Sequence, residues 1–289
     1  MEKVPYLGKP ERTLGVLNRY DIRLKKKYGQ NFLIDPHVLE KITELSGVGE
    51  DDLVIEVGPG IGTLTQYLAC RARHVCAVEI DERLIPVLSD TLSEWDNVTV
   101  IHQDILKTDI HELIRTFGEG REAVIVANLP YYITTPISMG ILEGGAPVRS
   151  MTVMIQKEVA RRMQAGPGTK DYGALSLTVQ YYTDPRIVAT VPCNCFIPRP
   201  EVDSSVIRLD RHAEPPVQPK DEQKMFRLIR AAFSQRRKTL ANCIKNAPDL
   251  PYTRQEAEEA LESLGLDRSV RGESLNLQEF SALSDILDE

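Results

Sequence analysis

From Leu53 onward, short apolar runs alternate with stretches of helical spacing, and this alternation confines the chain to an α/β architecture. The runs cover 53–57, 75–79, 98–101, 124–127 and 151–155. Their almost unbroken hydrophobicity suits strands covered on both faces, as in a parallel sheet. Helices are expected over 63–72, from a cap at Asp81 to about Leu92, over 110–117 and over 157–164. The stretches 175–182 and 204–209 read as two further strands joined by a proline-rich segment over 191–200. The expected fold is an open, doubly wound, mostly parallel sheet.

The flanks read differently. Residues 1–24 are polar and mixed, with a short helix over 13–20, and form an N-terminal extension. Asp35 followed by Pro36 starts a helix whose Val38, Leu39 and Ile42 share one face. Pro215, Pro216 and Pro219 mark a linker. Beyond them Met225, Leu228, Ile229, Ala232, Phe233, Leu240 and Ile244 keep helical spacing, as do Leu277, Phe280, Leu283 and Leu287. The expected domains are therefore 25–215, built on the sheet, and an all-α domain over 216–289.

Composition excludes several classes. At 289 residues, 42% apolar and 27% charged, the chain is long enough for a large domain and a small one. No run approaches membrane-spanning length and no apolar leader opens the sequence, so a cytoplasmic location without membrane attachment is expected. Cys70, Cys76, Cys193, Cys195 and Cys243 contain no C-x-x-C unit, which points to neither a disulfide framework nor a metal site. A net charge of -7 argues against bulk coating of nucleic acid. Three compact basic groups, Lys25-Lys26-Lys27, Arg161-Arg162 and Arg236-Arg237-Lys238, are nevertheless candidates for phosphate contacts.

In sheets of this kind ligands collect beyond the carboxyl ends of the strands. The first run ends in Gly58-Pro59-Gly60-Ile61-Gly62, the second in Glu79, the third is followed by Asp104, and the fourth by Asn128-Leu129-Pro130-Tyr131. A carboxylate at Glu79 can accept both hydroxyls of a ribose, and Asp104 can accept from an adenine amine. The turn departs from the dinucleotide fingerprint and carries no lysine or arginine for phosphates. An adenosyl cofactor, S-adenosylmethionine, suits it better than NAD or ATP. The amide, rigid proline and ring of Asn128, Pro130 and Tyr131 suit a flat hydrogen-bonding base.

Four segments carry a family resemblance. They are Lys27-Tyr28-Gly29-Gln30-Asn31-Phe32-Leu33, Glu56-Val57-Gly58-Pro59-Gly60, Asn128-Leu129-Pro130-Tyr131, and Phe196-Ile197-Pro198-Arg199-Pro200-Glu201-Val202-Asp203-Ser204-Ser205. Together they resemble the ribosomal RNA adenine dimethyltransferases, most closely the bacterial small-subunit (KsgA) type. The resemblance runs from about Leu24 to the end. It implies a Rossmann-like S-adenosylmethionine-dependent methyltransferase fold with a seven-stranded sheet. By the same resemblance Asn31, Leu33, Gly58, Gly60, Glu79, Ile80, Asp104, Ile105 and Asn128 hold the cofactor. It further implies a monomer that dimethylates N6 of two adjacent adenosines near the 3' end of small-subunit ribosomal RNA, within a precursor small subunit. The thiols of Pro192-Cys193-Asn194-Cys195 are unusual for that family.

Adenine N6 is a poor nucleophile because its lone pair is delocalised into the ring. If Asn128 Oδ1 and the Leu129 carbonyl accept its two N–H bonds, the lone pair is freed and aimed at the methyl donor. Tyr131 would cover one face of the base and Phe196 the other. Two other readings compete: a large-subunit adenine methyltransferase of the antibiotic-resistance type, and an assembly factor for which binding outweighs catalysis. The 196–205 motif and the arginine-rich C-terminal stretch favour the small-subunit type.

Overall fold

The computed structural model describes residues 4–22 and 30–287. Lys25, Lys26 and Lys27, expected to contact phosphates, lie outside the described residues. The chain divides into two compact units, one within Met1–Ala160 and Pro185–Arg211, the other within Arg161–Asp184 and His212–Glu289.

In chain order the elements up to the sheet's midpoint are α1 (Pro10–Arg19), β1 (Phe32–Leu33), α2 (Pro36–Leu45), β2 (Leu53–Val57), α3 (Thr63–Ala69), β3 (His74–Glu79), α4 (Ile85–Thr91) and β4 (Val98–His102). There follow α5 (Ile110–Phe117), β5 (Ala123–Asn128), α6 (Thr134–Glu143), β6 (Val148–Gln156), α7 (Lys157–Gln164), α8 (Ala174–Tyr182), β7 (Thr183–Val191), β8 (Phe196–Ile197) and β9 (Ser204–Arg211). The remaining helices are α9 (Glu222–Ser234), α10 (Leu240–Lys245), α11 (Arg254–Ser263) and α12 (Leu277–Ile286).

The main sheet has seven strands in the order β4-β3-β2-β5-β6-β9-β7. Pairs β2–β3, β3–β4, β2–β5 and β5–β6 are parallel, and β6–β9 is antiparallel. From β2 the chain winds outward through β3 and β4, then returns to the other side of β2 as β5. That reversal opens a crevice at the carboxyl ends of β2 and β5. Every residue of β2 is buried, as its apolar run implies. Asp35 caps α2 by accepting from His37 N and Val38 N, and Asp81 caps the turn before α4.

One expectation for the second half of the sheet needs correction. The stretch 175–182 is not a strand but lies within helix α8. Leu175, Leu177, Val179 and Tyr181 alternate with polar residues, which reads as a period of two. The polar members, however, bond within the helix or to nearby carbonyls. Thr178 Oγ1 donates to Ala174 O at 2.9 Å, Ser176 Oγ to Arg162 O, and Gln180 Nε2 to Met163 O and Ala165 O. The seventh strand is instead β7, whose Pro185 argues against a central strand. It lies at the sheet edge, where a missing N–H is tolerated.

The second unit has its own core, with Tyr172, Phe226, Leu228, Ile229, Leu240, Leu261 and Phe280 buried together. Capping boxes at Thr253/Glu256 and Asn276/Glu279 start α11 and α12. No helix of the described residues is long and apolar enough to cross a membrane.

The N-terminal extension is part of the first unit's core. Leu7, Val16 and Leu17 join the cluster that holds Leu39, Leu64, Leu68 and Leu88. Gln66, fully buried on α3, ties the extension down: its Oε1 accepts from Tyr6 N at 3.0 Å and Leu7 N at 3.3 Å, and its Nε2 donates to Thr91 O at 2.9 Å. Gln66→Ala strands these groups, each at a cost of about 1–3 kcal/mol when buried. The variant is expected to unfold at lower urea concentration and to lose amide-exchange protection at Tyr6 and Leu7. Unchanged protection there would mean that the extension is held by its apolar contacts alone.

Candidate active site

At the crevice the chain forms a pocket lined by Gln30, Asn31, Phe32 and Leu33 from one segment, Gly58, Pro59 and Gly60 from the turn after β2, Glu79 and Ile80 from the end of β3, and Asn128 to Tyr132 from the end of β5. Its backbone wall needs glycine at two positions. Gly58 and Gly60 have φ of +68° and +63°, and a Cβ on Gly60 would meet the Phe32 ring at 2.9 Å. Among the described residues nothing lies within 4 Å of where a Gly58 Cβ would stand, so bare backbone borders open space there.

Glu79 is buried, and its carboxylate accepts from Gly60 N at 3.2 Å and Asp81 N at 2.8 Å. Burial raises its pKa, and those backbone donors partly offset the rise. Asp81 is bonded in turn to Gln30 Nε2 at 3.0 Å and to Arg83. Burial raises the Asp81 pKa as well, but hydrogen bonds from Arg83 and Gln30 outweigh it and hold the group below the usual carboxylate range.

Asn128 Nδ2 donates to Asn31 O at 3.0 Å. A carbonyl can only accept, so this contact fixes which end of the amide faces it and leaves Oδ1 as the acceptor available to a ligand. The following turn is pinned at several points. Leu129 N donates to Met154 O, and Thr134 Oγ1 and Ile133 N both donate to Pro130 O. The Tyr131 hydroxyl lies 2.7 Å from Ser204 Oγ. Ser204 opens β9 in register with Gln156, and its neighbour Asp203 accepts from Lys157 N and Cys193 N. The Tyr131 ring is thus held from its far end by the sheet, and burial raises its pKa.

Of the residues expected from the sequence, Asn31, Leu33, Gly58, Gly60, Glu79, Ile80, Asn128, Leu129, Pro130 and Tyr131 all line this one pocket. Asp104 and Ile105 are not among its lining. Asp104 Oδ1 caps the turn Ile105–Lys107 by accepting from Leu106 N at 3.0 Å. Phe196 is not in the lining either: it is 3% exposed, pairs with Leu33 in the short β1–β8 ladder and belongs to the core cluster. Tyr132, 58% exposed, supplies a second ring to the pocket instead. Arg161 and Arg162 sit in the last turn of α7. Arg236, Arg237 and Lys238 are all exposed, but the Arg236 guanidinium donates to Lys170 O and Tyr172 O, which makes it a brace of the helical unit.

Sequence reasoning assigned no role to Glu56, Thr63 or Gln30. Each lines the pocket, and among the described residues Glu56 Oε2, Thr63 Oγ1 and Gln30 Oε1 are buried atoms with no hydrogen-bond partner. Such atoms call for a ligand with complementary polar groups. The available signal was an acid inside the otherwise apolar run Leu53–Val57. Among the described residues, no Lys, Arg or His lines the pocket.

A family model described as Ribosomal RNA adenine dimethylase matches residues 22–289. A Ribosomal RNA small subunit methyltransferase A from Lachnoclostridium phytofermentans is 58% identical over 285 residues, 98% of each chain. Another of that name from Geobacillus thermodenitrificans is 51% identical over 283 residues, 97% of each chain. Among solved structures, a dimethyladenosine transferase from Plasmodium falciparum matches with a TM-score of 0.73 at 26% identity, over 87% of this chain and 95% of its own. The 23S rRNA methyltransferase ErmE gives 0.66 at 30% identity, over 90% of this chain and 100% of its own.

The Tyr131–Ser204 contact yields a direct test. Tyr131→Phe and Ser204→Ala should each lower stability by about 1 kcal/mol, the net worth of one such bond. In urea titrations the double variant should lose little more than either single one. Fully additive losses would mean that the two hydroxyls do not depend on each other.

Proposed function

The chain belongs to the ribosomal RNA adenine dimethylase family, and from that premise we propose that it dimethylates N6 of adenosines in small-subunit ribosomal RNA, using S-adenosylmethionine. The observation that carries the reading is the committed amide of Asn128 at the mouth of a pocket able to hold an adenosyl cofactor. The pocket's chemistry fits that cofactor: carboxylates, orphaned polar atoms and glycine backbone, with no cationic side chain in the lining among the described residues. Glu79 would hold the ribose, Gly58 and Gly60 would allow close backbone approach, and Asn31, Leu33 and Ile80 would enclose it, with Asp104 and Ile105 beyond Ile80 at the adenine end. When bound, the cofactor supplies an electrophilic sulfonium methyl group.

The chain's own residues then prepare the nucleophile. With Nδ2 held by Asn31 O, Asn128 Oδ1 accepts one N6–H of the target base, and the Leu129 carbonyl accepts the other. Both bonds draw N6 away from conjugation and orient its lone pair. Such positioning is worth roughly 7 to 11 kcal/mol in favourable cases. No strong base is required, because the methylated N6 cation gives its proton to water. The monomethyl product retains one N–H, so the second transfer proceeds with one acceptor unpaired. The Tyr131 ring stacks on the base at about 1–3 kcal/mol. Phe196 supports this arrangement from the core by pairing with Leu33, and reaches the base itself only by leaving that packing.

The target must be unstacked, which favours a loop of RNA over a duplex. The names of the relatives at 58% and 51% identity favour the small subunit. The likeness to ErmE keeps the large subunit as the alternative. A monomer acting in the cytoplasm on a precursor small subunit completes the reading. Arg161, Arg162, Arg237 and Lys238, with Lys25, Lys26 and Lys27, are the proposed phosphate contacts.

Incubation with labelled S-adenosylmethionine and undermethylated small subunits, large subunits or their free RNAs tests the assignment. Label is expected in dimethyladenosine of the small-subunit RNA, and label confined to large-subunit RNA would overturn it. Asn128→Ala should abolish both transfers while cofactor affinity stays within about tenfold, since only one of the cofactor's several contacts is lost. Near wild-type transfer by that variant would sink the proposed role. Arg237→Glu with Lys238→Glu should weaken RNA binding at low salt and leave the melting temperature unchanged. Arg236→Ala should instead lower the melting temperature, having lost two carbonyl partners.

A further inference from the structure

The 3₁₀ turn Cys193–Cys195, between β7 and β8, has no part in the roles above, and its two thiols face different surroundings. Cys193 is partly exposed, and its Sγ accepts from Arg199 Nε at 3.0 Å. Cys195 is buried, with its Sγ 3.7 Å from Asp35 Oδ2. We infer that Cys193 and Cys195 form a redox pair, oxidised to a disulfide by small-molecule disulfides, and that closing the bridge switches off methyl transfer. The regulatory half of this inference rests on the proposed methyl transfer; the oxidation does not.

The chemistry divides between the two sulfurs. Cys193 is the one a solute reaches, and a guanidinium faces the sulfur that must carry negative charge as it attacks. Its thiolate attacks one sulfur of the small disulfide, which breaks the solute's S–S bond, forms a mixed disulfide and releases one thiol. Cys195 then attacks the Cys193 sulfur. Its S–H proton passes to Asp35 and on to solvent, and the second small thiol leaves. The protein loses two electrons and two protons, and the solute gains them as two thiols. Burial, with Asp35 adding to it, raises the Cys195 pKa, so that thiol stays protonated until its neighbour is activated.

Geometry decides what the bridge does. Two positions apart in one 3₁₀ turn, the Cα atoms lie about 5–6 Å apart, within the range a disulfide spans. The side chains, however, point to different partners, one to Arg199 and the other to Asp35. Closure therefore breaks both contacts and moves the turn.

That turn is tied to both anchors of the acceptor-base motif. On one side Cys195 O accepts from Ile34 N at 2.8 Å, and Phe196 pairs with Leu33. The same segment carries Asn31, whose carbonyl holds the Asn128 amide. On the other side Asp203 accepts from Cys193 N at 3.0 Å, and the adjoining Ser204 holds the Tyr131 hydroxyl. A displaced turn loosens both the amide that orients N6 and the ring that stacks on the base.

The test equilibrates the full chain in glutathione buffers of graded disulfide content, maps disulfides by mass spectrometry, and follows methyl transfer to undermethylated small subunits. A Cys193–Cys195 bridge should form as transfer falls by about a hundredfold, the scale of a misplacement of about 1 Å at the reacting groups. Dithiothreitol should reverse both. S-adenosylhomocysteine affinity should stay within about tenfold, because Glu79 and the turn after β2 are untouched. Amide exchange at Ile34 and Cys193 should quicken in the oxidised chain. Cys193→Ser should transfer at the wild-type rate in every buffer, and Cys195→Ser should stop at a glutathione adduct on Cys193. A bridge that leaves transfer and both amides unchanged overturns the inference. So does a loss of transfer that persists in Cys193→Ser, or a wild-type adduct on Cys193 that never closes. A fully reduced chain that transfers nothing would instead overturn the methylation reading, and the regulatory claim with it, while the mapped bridge would still report on the pair.

Discussion

The hydrogen bond from Asn128 Nδ2 to Asn31 O is the contact on which the site depends. It joins two segments 97 residues apart, one leading into the short β1 strand and the other ending the central strand β5. Its chemical value lies in its asymmetry. An unbound amide offers either end to a ligand, whereas one held by a carbonyl offers only its oxygen. A base whose amine must be drawn out of conjugation needs two such acceptors. The sheet reversal between β2 and β5 gives this amide a crevice to face, and the β1–β8 ladder helps anchor the segment that holds it.

Electrostatic organisation follows from the same crevice. Two carboxylates, Glu56 and Glu79, line a pocket that has no cationic side chain in its lining among the described residues. Backbone amides compensate one and leave the other short of partners. Such an arrangement costs the ligand-free fold stability, which a ligand with complementary polar groups offsets. The rings divide similarly: Tyr131 is tethered through Ser204 and Tyr132 is presented to solvent, while Phe196 is spent on packing.

Much of this was legible in the sequence because strand ends in a parallel sheet are marked by abrupt changes of residue type. Glycines after β2, Glu79 at the end of β3 and Asn128 at the end of β5 each break an apolar run, and all meet in one pocket. Glu56 escaped because it lies inside such a run, where an acid reads as an exception rather than a site. Helix α8 escaped because its polar residues fall at every second position, and only tertiary contacts show that their hydroxyls and amide bond to carbonyls. Phe196 reads as a loop ring from its prolines. Its pairing with Leu33 spans most of the sheet unit's sequence and is invisible locally. Arg236 likewise looks like its basic neighbours until the carbonyls of Lys170 and Tyr172 are seen.

The most direct test of the central claim is nuclear magnetic resonance of the full chain with asparagine labelled in its side-chain carbonyl carbon and amide nitrogen. Adding adenosine to the protein bound to S-adenosylhomocysteine should shift the Asn128 carbonyl carbon. The Nδ2 resonance should stay nearly in place, with one of its protons protected from exchange before and after. A base-dependent shift at Nδ2 with an unmoved carbonyl carbon would show the amide turned the other way, and would contradict the account.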